Sequence, residues 1–177
     1  MSRKIGDIFQ EDIEKSCEAQ GIFNHRIKDV TPNMLKPNVR LSPNKYDYFA
    51  FMDGHLFTLE LKTTKNKSLS FSEKIIKPQQ ITALTKAATY EDVIAGFLIN
   101  FREYDNQTFF VHIDDFNTYR NIAENNLNHN YQSKVNEKSI PLGICKEIGV
   151  EVFSIKKRTR YTYGMKKLFE ELISRYE

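Results

Sequence analysis

The sequence predicts an α/β fold, and three observations carry that expectation. Residues at both ends, 5–19 and 163–176, show apolar positions at helical spacing. An Asp53-Gly54 pair separates two strand-like runs, a strong local hairpin signal. The run Val93–Phe101 is apolar almost throughout, the pattern of a buried strand. Helix first, then a hairpin-led sheet, then alternating helices and strands is the order of an α/β domain. The length of 177 residues suits one domain, 1–177, with a short basic, proline-containing arm at 28–45.

In chain order, Ile5, Ile8, Phe9 and Ile13 form the stripe of the first helix, and Gly21 follows as its stop. Residues 22–27 read as a short strand. Pro32, Pro37 and Pro43 interrupt 28–45, which reads as a loop or projecting arm. Strands are expected at 46–52 and 55–62. Pro78 opens a helix expected over 78–89, because proline is tolerated in a first turn. Strands follow at 93–101 and 108–113, and Asp114 or Asp115 is the expected cap of a helix to about 126. Six asparagines in 121–136 predict an irregular, flexible loop. A last strand is expected at 151–155. In the final helix Met165, Leu168, Phe169, Leu172, Ile173 and Tyr176 share one stripe, read as a core face, with a dimer interface as the alternative.

No run of about 18 apolar residues is present, and the first residues lack the apolar stretch of a secretory signal. A cytoplasmic, nucleoid-associated protein of a bacterial or phage-infected cell is the expectation. Cys17 and Cys145 form no pattern and are expected as reduced thiols; the four histidines are scattered. Net charge is only +3, but its distribution is uneven. Arg26, Lys28, Lys36, Arg40 and Lys45 face a single acid, Asp29. Residues 156–167 hold six bases and no acid. Each run alone reads as solvated surface, whereas two in one small chain favour a polyanion partner.

Counting register from Asp53-Gly54 as a two-residue turn pairs 52 with 55, 49 with 58 and 47 with 60. Asp47 then stands opposite Glu60, and Lys62, two residues on, shares their face. Tyr46, Tyr48, Ala50, Met52, Phe57, Leu59 and Leu61 fall on the other, apolar face. Two adjacent carboxylates repel, and a divalent cation relieves that repulsion; oxygen donors suit Mg²⁺ or Mn²⁺. A lysine beside them can orient a water or stabilise charge on a phosphate, which is the chemistry of phosphodiester hydrolysis. A Glu-x-Lys on a strand is more often a solvent-facing alternation, and only the register count sets this one apart. Gln79 and Gln80 lie in the first turn after Pro78, where an anion or a bound water would be favoured; an ordinary polar first turn is the other reading.

Pro43-Asn44-Lys45-Tyr46-Asp47-Tyr48, then Glu60-Leu61-Lys62-Thr63-Thr64-Lys65-Asn66, then Gln80 opening a helix, resemble the RecU family of Holliday junction resolvases, nucleases of the PD-(D/E)xK type. The resemblance extends to Gly6-x-x-Phe9 and to the last helix, while residues 121–157 match poorly. It implies a restriction-endonuclease-like mixed central sheet flanked by helices. It implies Asp47 and Glu60 as metal ligands, Lys62 as the catalytic lysine and Gln80 as support. The family's first helix carries a glutamate after the phenylalanine; here Gln10 stands there, with Glu11 and Glu14 nearby. The family's stalk is also longer than 28–45, which hints at a phage or divergent version. The resemblance further implies a homodimer acting on branched DNA with Mg²⁺ or Mn²⁺, with a recombinase or helicase as a further partner. Expected DNA contacts are Arg26, Lys28, Lys36, Arg40, Lys45, Lys65, Lys67, Arg158 and Arg160; Lys74 and Lys77 also flank the site. Two other readings are a restriction-like or repair endonuclease on duplex or flapped DNA, and a non-catalytic DNA-binding protein of the same fold.

Overall fold

The computed structural model describes residues 5–27 and 44–176. Its elements are α1 (Ile5–Ala19), β1 (Phe23–Arg26), β2 (Tyr48–Met52), β3 (His55–Thr64), β4 (Ser68–Ser70), α2 (Pro78–Ala87), β5 (Val93–Phe101) and β6 (Gln107–His112). There follow α3 (Ile113–Asn125), β7 (Ser139–Pro141), α4 (Leu142–Ile148), β8 (Val150–Glu151), β9 (Ser154–Lys157), β10 (Arg160–Tyr163) and α5 (Met165–Tyr176). Six strands form one sheet in the order β1-β2-β3-β5-β6-β8. Only β3 and β5 run parallel; the other neighbours are antiparallel. The parallel pair requires a crossover, and α2 provides it.

Local chemistry explains the elements that matter most. Gly21 has φ +69, the left-handed conformation that ends a helix. Asp53 and Gly54 have φ 49 and 86, so both central turn residues are left-handed, as a tight two-residue hairpin needs. The register is the one counted from that turn: Met52 pairs with His55, Phe49 with Thr58 and Tyr48 with Leu59. β5 is buried along nearly its whole length, which accounts for its continuous apolar run. At Gly96 an added β-carbon would run into the Val111 carbonyl oxygen and the Phe110 ring, so only glycine fits between β5 and β6.

Each face of the sheet carries its own core. On one side α1 and α5 close over Tyr48, Ala50, Phe57, Leu59 and Leu61, with Phe57 stacked on Phe169 at 4.0 Å between centroids. On the other, α2, α3 and α4 cover Phe97, Ile99, Phe109 and Val111. The α5 stripe is buried at Met165, Leu168, Phe169 and Leu172, which makes it core and not a dimer face.

Several expectations are corrected. Tyr46 does not join the Tyr48 face. The chain leaves the ladder at Asp47, and Tyr46 packs in the second core, its ring 5.2 Å from that of Phe49. The α3 cap is His112, whose Nδ1 accepts from the Asp114 N–H at 3.3 Å; Asp114 and Asp115 lie inside the first turn. The helix expected to about 126 ends at Asn125, with Asn126 left-handed at φ 49, so only the start of the asparagine-rich stretch is helical and 127–135 are irregular as expected. The single strand expected at 151–155 is two pieces: β8 completes the main sheet, and β9 pairs with β10 as a separate hairpin. The short β4 and β7 and the helix α4 were not expected.

Candidate active site

Glu60 and Lys62 lie on β3 and point to the α2 side of the sheet. Residue alternation sends Leu59 and Leu61 into the opposite core. Beside Glu60 runs β5, with Phe97 as its register partner. Glu60 is therefore only 1% exposed. Asp47 continues the β2–β3 pairing by one residue, its N–H donating to the Leu59 carbonyl at 3.2 Å. Its Oδ2 accepts from the Leu61 N–H at 3.1 Å, which turns the carboxylate across the strand toward Glu60. Tyr46 holds the approach to this position, because its hydroxyl donates to the Ala83 carbonyl of α2 at 3.2 Å. Tyr46 was missed as a positioning residue. Its signal lay next to Asp47, but alternation alone assigned it to the wrong face.

Gln80 is the third residue of α2, the place where a glutamine side chain folds back to the helix start. The Lys77 N–H donates to its Oε1 at 3.0 Å. The same Oε1 accepts from Lys62 Nζ at 3.1 Å, while Nε2 donates to Glu60 Oε1. Lys62 Nζ also donates to Glu60 Oε1 at 2.8 Å. Glu60, Lys62 and Gln80 thus form a closed triangle, and Asp47 borders it. All four residues expected at the site are brought together.

One atom in this cluster is unsatisfied: Glu60 Oε2 is buried and has no hydrogen-bond partner. Burial pushes the Glu60 carboxyl up to about 8, and the charge of Asp47 pushes it the same way; Lys62 pulls it down without cancelling them. A buried acid with one orphaned oxygen, next to a second carboxylate, fits a hard divalent cation. Mg²⁺ is commonly held by one or two carboxylates with water and phosphate oxygens completing its shell. Among the described residues no group of three or more His, Cys, Asp or Glu is placed to hold a metal. The acids of α1 do not supply a third ligand here. Glu11 accepts from Arg160 Nη2 at 3.0 Å, on the other side of the sheet.

The expected DNA contacts separate into three groups. Lys45, Lys65, Lys67 and Arg158 are exposed. Arg26 is 12% exposed at its side chain and pairs with Asp7 at 3.4 Å; Arg160 is 29% exposed and bonds Asp12 and Glu11. These two arginines hold α1 in place. Lys28, Lys36 and Arg40 lie outside the described residues. Cys17 and Cys145 are buried thiols, the first pushed up to about 12 by burial. Among the described residues no helix is long and apolar enough to cross a membrane.

Three comparisons bear on this arrangement. The family model described as RecU, Recombination protein U, matches residues 26–163. The SPbeta prophage-derived uncharacterized protein YotM of Bacillus subtilis (strain 168) is 56% identical over 170 residues, covering 96% of this chain and 87% of that protein. The structure of Hjc from Archaeoglobus fulgidus, described as a Holliday junction resolvase from an archaeal hyperthermophile, superposes with a TM-score of 0.52. That match covers 82% of this chain and 95% of the Hjc chain at 14% identity, so it speaks for the fold.

Proposed function

The chain belongs to the RecU family, and on that premise we propose that it is a divalent-metal-dependent DNA endonuclease that resolves four-way (Holliday) junctions by paired nicks. The observation that carries this reading is the half-satisfied buried carboxylate of Glu60, held beside Asp47 and bonded to Lys62 and Gln80. Asp47 and Glu60 would hold Mg²⁺ or Mn²⁺. When bound, the cation supplies Lewis acidity toward a phosphoryl oxygen and lowers the pKa of a nearby water.

The protein's own groups have defined tasks. Glu60 Oε1 and Gln80 Oε1 occupy two of the three protons on Lys62 Nζ. The third is available to a water or to a phosphate oxygen as charge develops there, without reorganisation of the ammonium. Gln80 reads its two neighbours in one orientation only, donating to Glu60 and accepting from Lys62. It thereby ties the N-terminal turn of α2 to the catalytic strand. The exposed Lys65 and Lys67, which follow β3, suit the flanking phosphates. Paired nicks on opposing strands need two such sites, so a homodimer is part of the proposal.

Incubation with Mg²⁺ and end-labelled four-way junction, linear duplex and flap tests it. Symmetric nicks on the junction, lost in Lys62→Ala and Asp47→Ala, are expected. Equal cutting of plain duplex would overturn junction selectivity. Tight junction binding without cutting would overturn the enzyme assignment.

A further inference from the structure

Outside the cleavage site, the β9–β10 hairpin stands apart from the central sheet and is held by polar side-chain contacts at both ends, buried at its base and half-buried near its tip. At its base the Tyr163 hydroxyl and Ser154 Oγ both receive the Asn106 side-chain amide at 3.1 Å. Asn106 Oδ1 in turn accepts from Asn100 at 2.8 Å, and Asn100 accepts from Thr63, the residue after Lys62, at 3.0 Å. Near its tip Arg160 donates to Asp12 at 2.5 Å and to Glu11 at 3.0 Å. Along one edge α1 takes the place of a third strand: the Tyr161 N–H donates to Asp12 Oδ2 and the Tyr163 N–H to Ser16 Oγ.

The opposite side of the hairpin is uncovered. Ile155 is 49% exposed, and Lys156, Lys157, Arg158 and Thr159 are all exposed. No acid interrupts this run. Arg160 Nη2 also reaches the Ile8 carbonyl, beside Asp7, which pairs with Arg26. Arg26 is the register partner of Tyr48, and the Ile27 N–H donates to the Asp47 carbonyl. The hairpin tip is therefore mounted on the half of α1 that meets the sheet where Asp47 sits.

We infer that the β9–β10 hairpin is a second DNA-holding element that grips the phosphate backbone of a duplex arm through Lys156, Lys157 and Arg158, with Arg160 as its positioning residue. The inference rests on the nuclease reading and deepens it. Arg160, charged and basic, reads in the sequence as a phosphate contact; the structure makes it the bolt that docks the contacts. A two-stranded ribbon of this kind fits against duplex DNA, and its rigidity limits the ordering cost of binding. Lysines on a free strand edge also discourage pairing with another chain, and that role alone would leave DNA binding unchanged when they are removed.

The test is fluorescence anisotropy with labelled four-way junction and duplex, in EDTA to prevent cleavage, over a series of salt concentrations. Lys156→Ala/Lys157→Ala/Arg158→Ala should bind at least tenfold more weakly and lower the salt slope by roughly 2 to 3, about 0.9 for each phosphate no longer neutralised. An unchanged slope and affinity would overturn the hairpin's role while leaving the nuclease reading intact. Failure of the wild-type protein to bind either DNA would overturn both. Asp12→Asn separates positioning from charge. Loss of a negative charge by itself tightens binding to a polyanion, whereas loss of the Arg160 dock should weaken it several-fold. Tighter binding by a folded Asp12→Asn variant would remove Arg160's positioning role.

Discussion

Two buried carboxylate–cation clusters lie on opposite sides of the same sheet, and they differ in one respect. Asp12, 4% exposed, has both oxygens bonded, Oδ1 to Arg160 and Oδ2 to the Tyr161 N–H. Glu60, 1% exposed, has one oxygen bonded twice and the other not at all. The first cluster is complete and pins a hairpin to a helix. The second leaves one buried oxygen without a donor beside the charge of Asp47, which stability alone does not explain, since an unpaired buried polar atom costs free energy. Satisfaction of hydrogen bonds, more than burial or charge, is what differs between these two clusters.

The largest effect is expected at Glu60. Glu60→Gln should lower junction cleavage on the order of 10³-fold, because it removes one of the two carboxylates proposed to hold the cation. Single-turnover cleavage with Mg²⁺ measures this, and near-wild-type rates would end the assignment.

The second prediction concerns pH. The Glu60 carboxyl sits at about 8 in the fold against an ordinary value of 4.5, so its contribution to stability is fully present below about 4.5. It is lost as pH rises through 8, because the folded state there holds a proton that the unfolded chain has released. Metal-free protein should lose stability over that window, by at most about 1.4 kcal/mol per pH unit. Denaturant titrations at a series of pH values measure the slope. Glu60→Gln should flatten it, and added Mg²⁺ should raise the melting temperature more at pH 8 than at pH 5.

At the satisfied cluster the effects should have the opposite character. Asp12→Asn should destabilise by roughly 1.5–3 kcal/mol, the range for losing hydrogen bonds to charged groups. Thermal melts would show this, and a variant as stable as wild type would mean that α1 does not depend on its hairpin contact. The smallest effect is expected at Gln80. Gln80→Ala should cut cleavage by roughly 10- to 100-fold with little change in stability, as for other residues that orient a ligand from behind.

Much of the site was legible in the sequence because hairpin geometry is local. Asp53-Gly54 sets the turn, the turn sets the register, and the register places Asp47 against Glu60 and Lys62. Gln80 was legible for a similar reason, since Pro78 fixes where a helix can begin. Tyr46 was placed on the wrong face, and the acid partners of Arg160 were not foreseen, because neither follows from a local rule. Tyr46 lies one residue beyond the ladder, where alternation stops applying. Arg160 meets Asp12 and Glu11 across 148 and 149 residues of sequence. The short α4 and the split of β8 from β9 escaped for want of length, a few residues being too few to show a period.

The α/β class, the main helices and strands, and the identity of the charged groups on one strand face follow from side-chain period and turn stereochemistry, which are written in the chain itself. Which of the described acids and bases are satisfied depends instead on packing between distant segments. Whether Glu60 Oε2 lacks a donor, or Arg160 already has two carboxylate acceptors, depends on which distant segments pack against them. Packing also sets the burial that makes an unmet bond costly, and neither quantity is written in the spacing of residues along the chain.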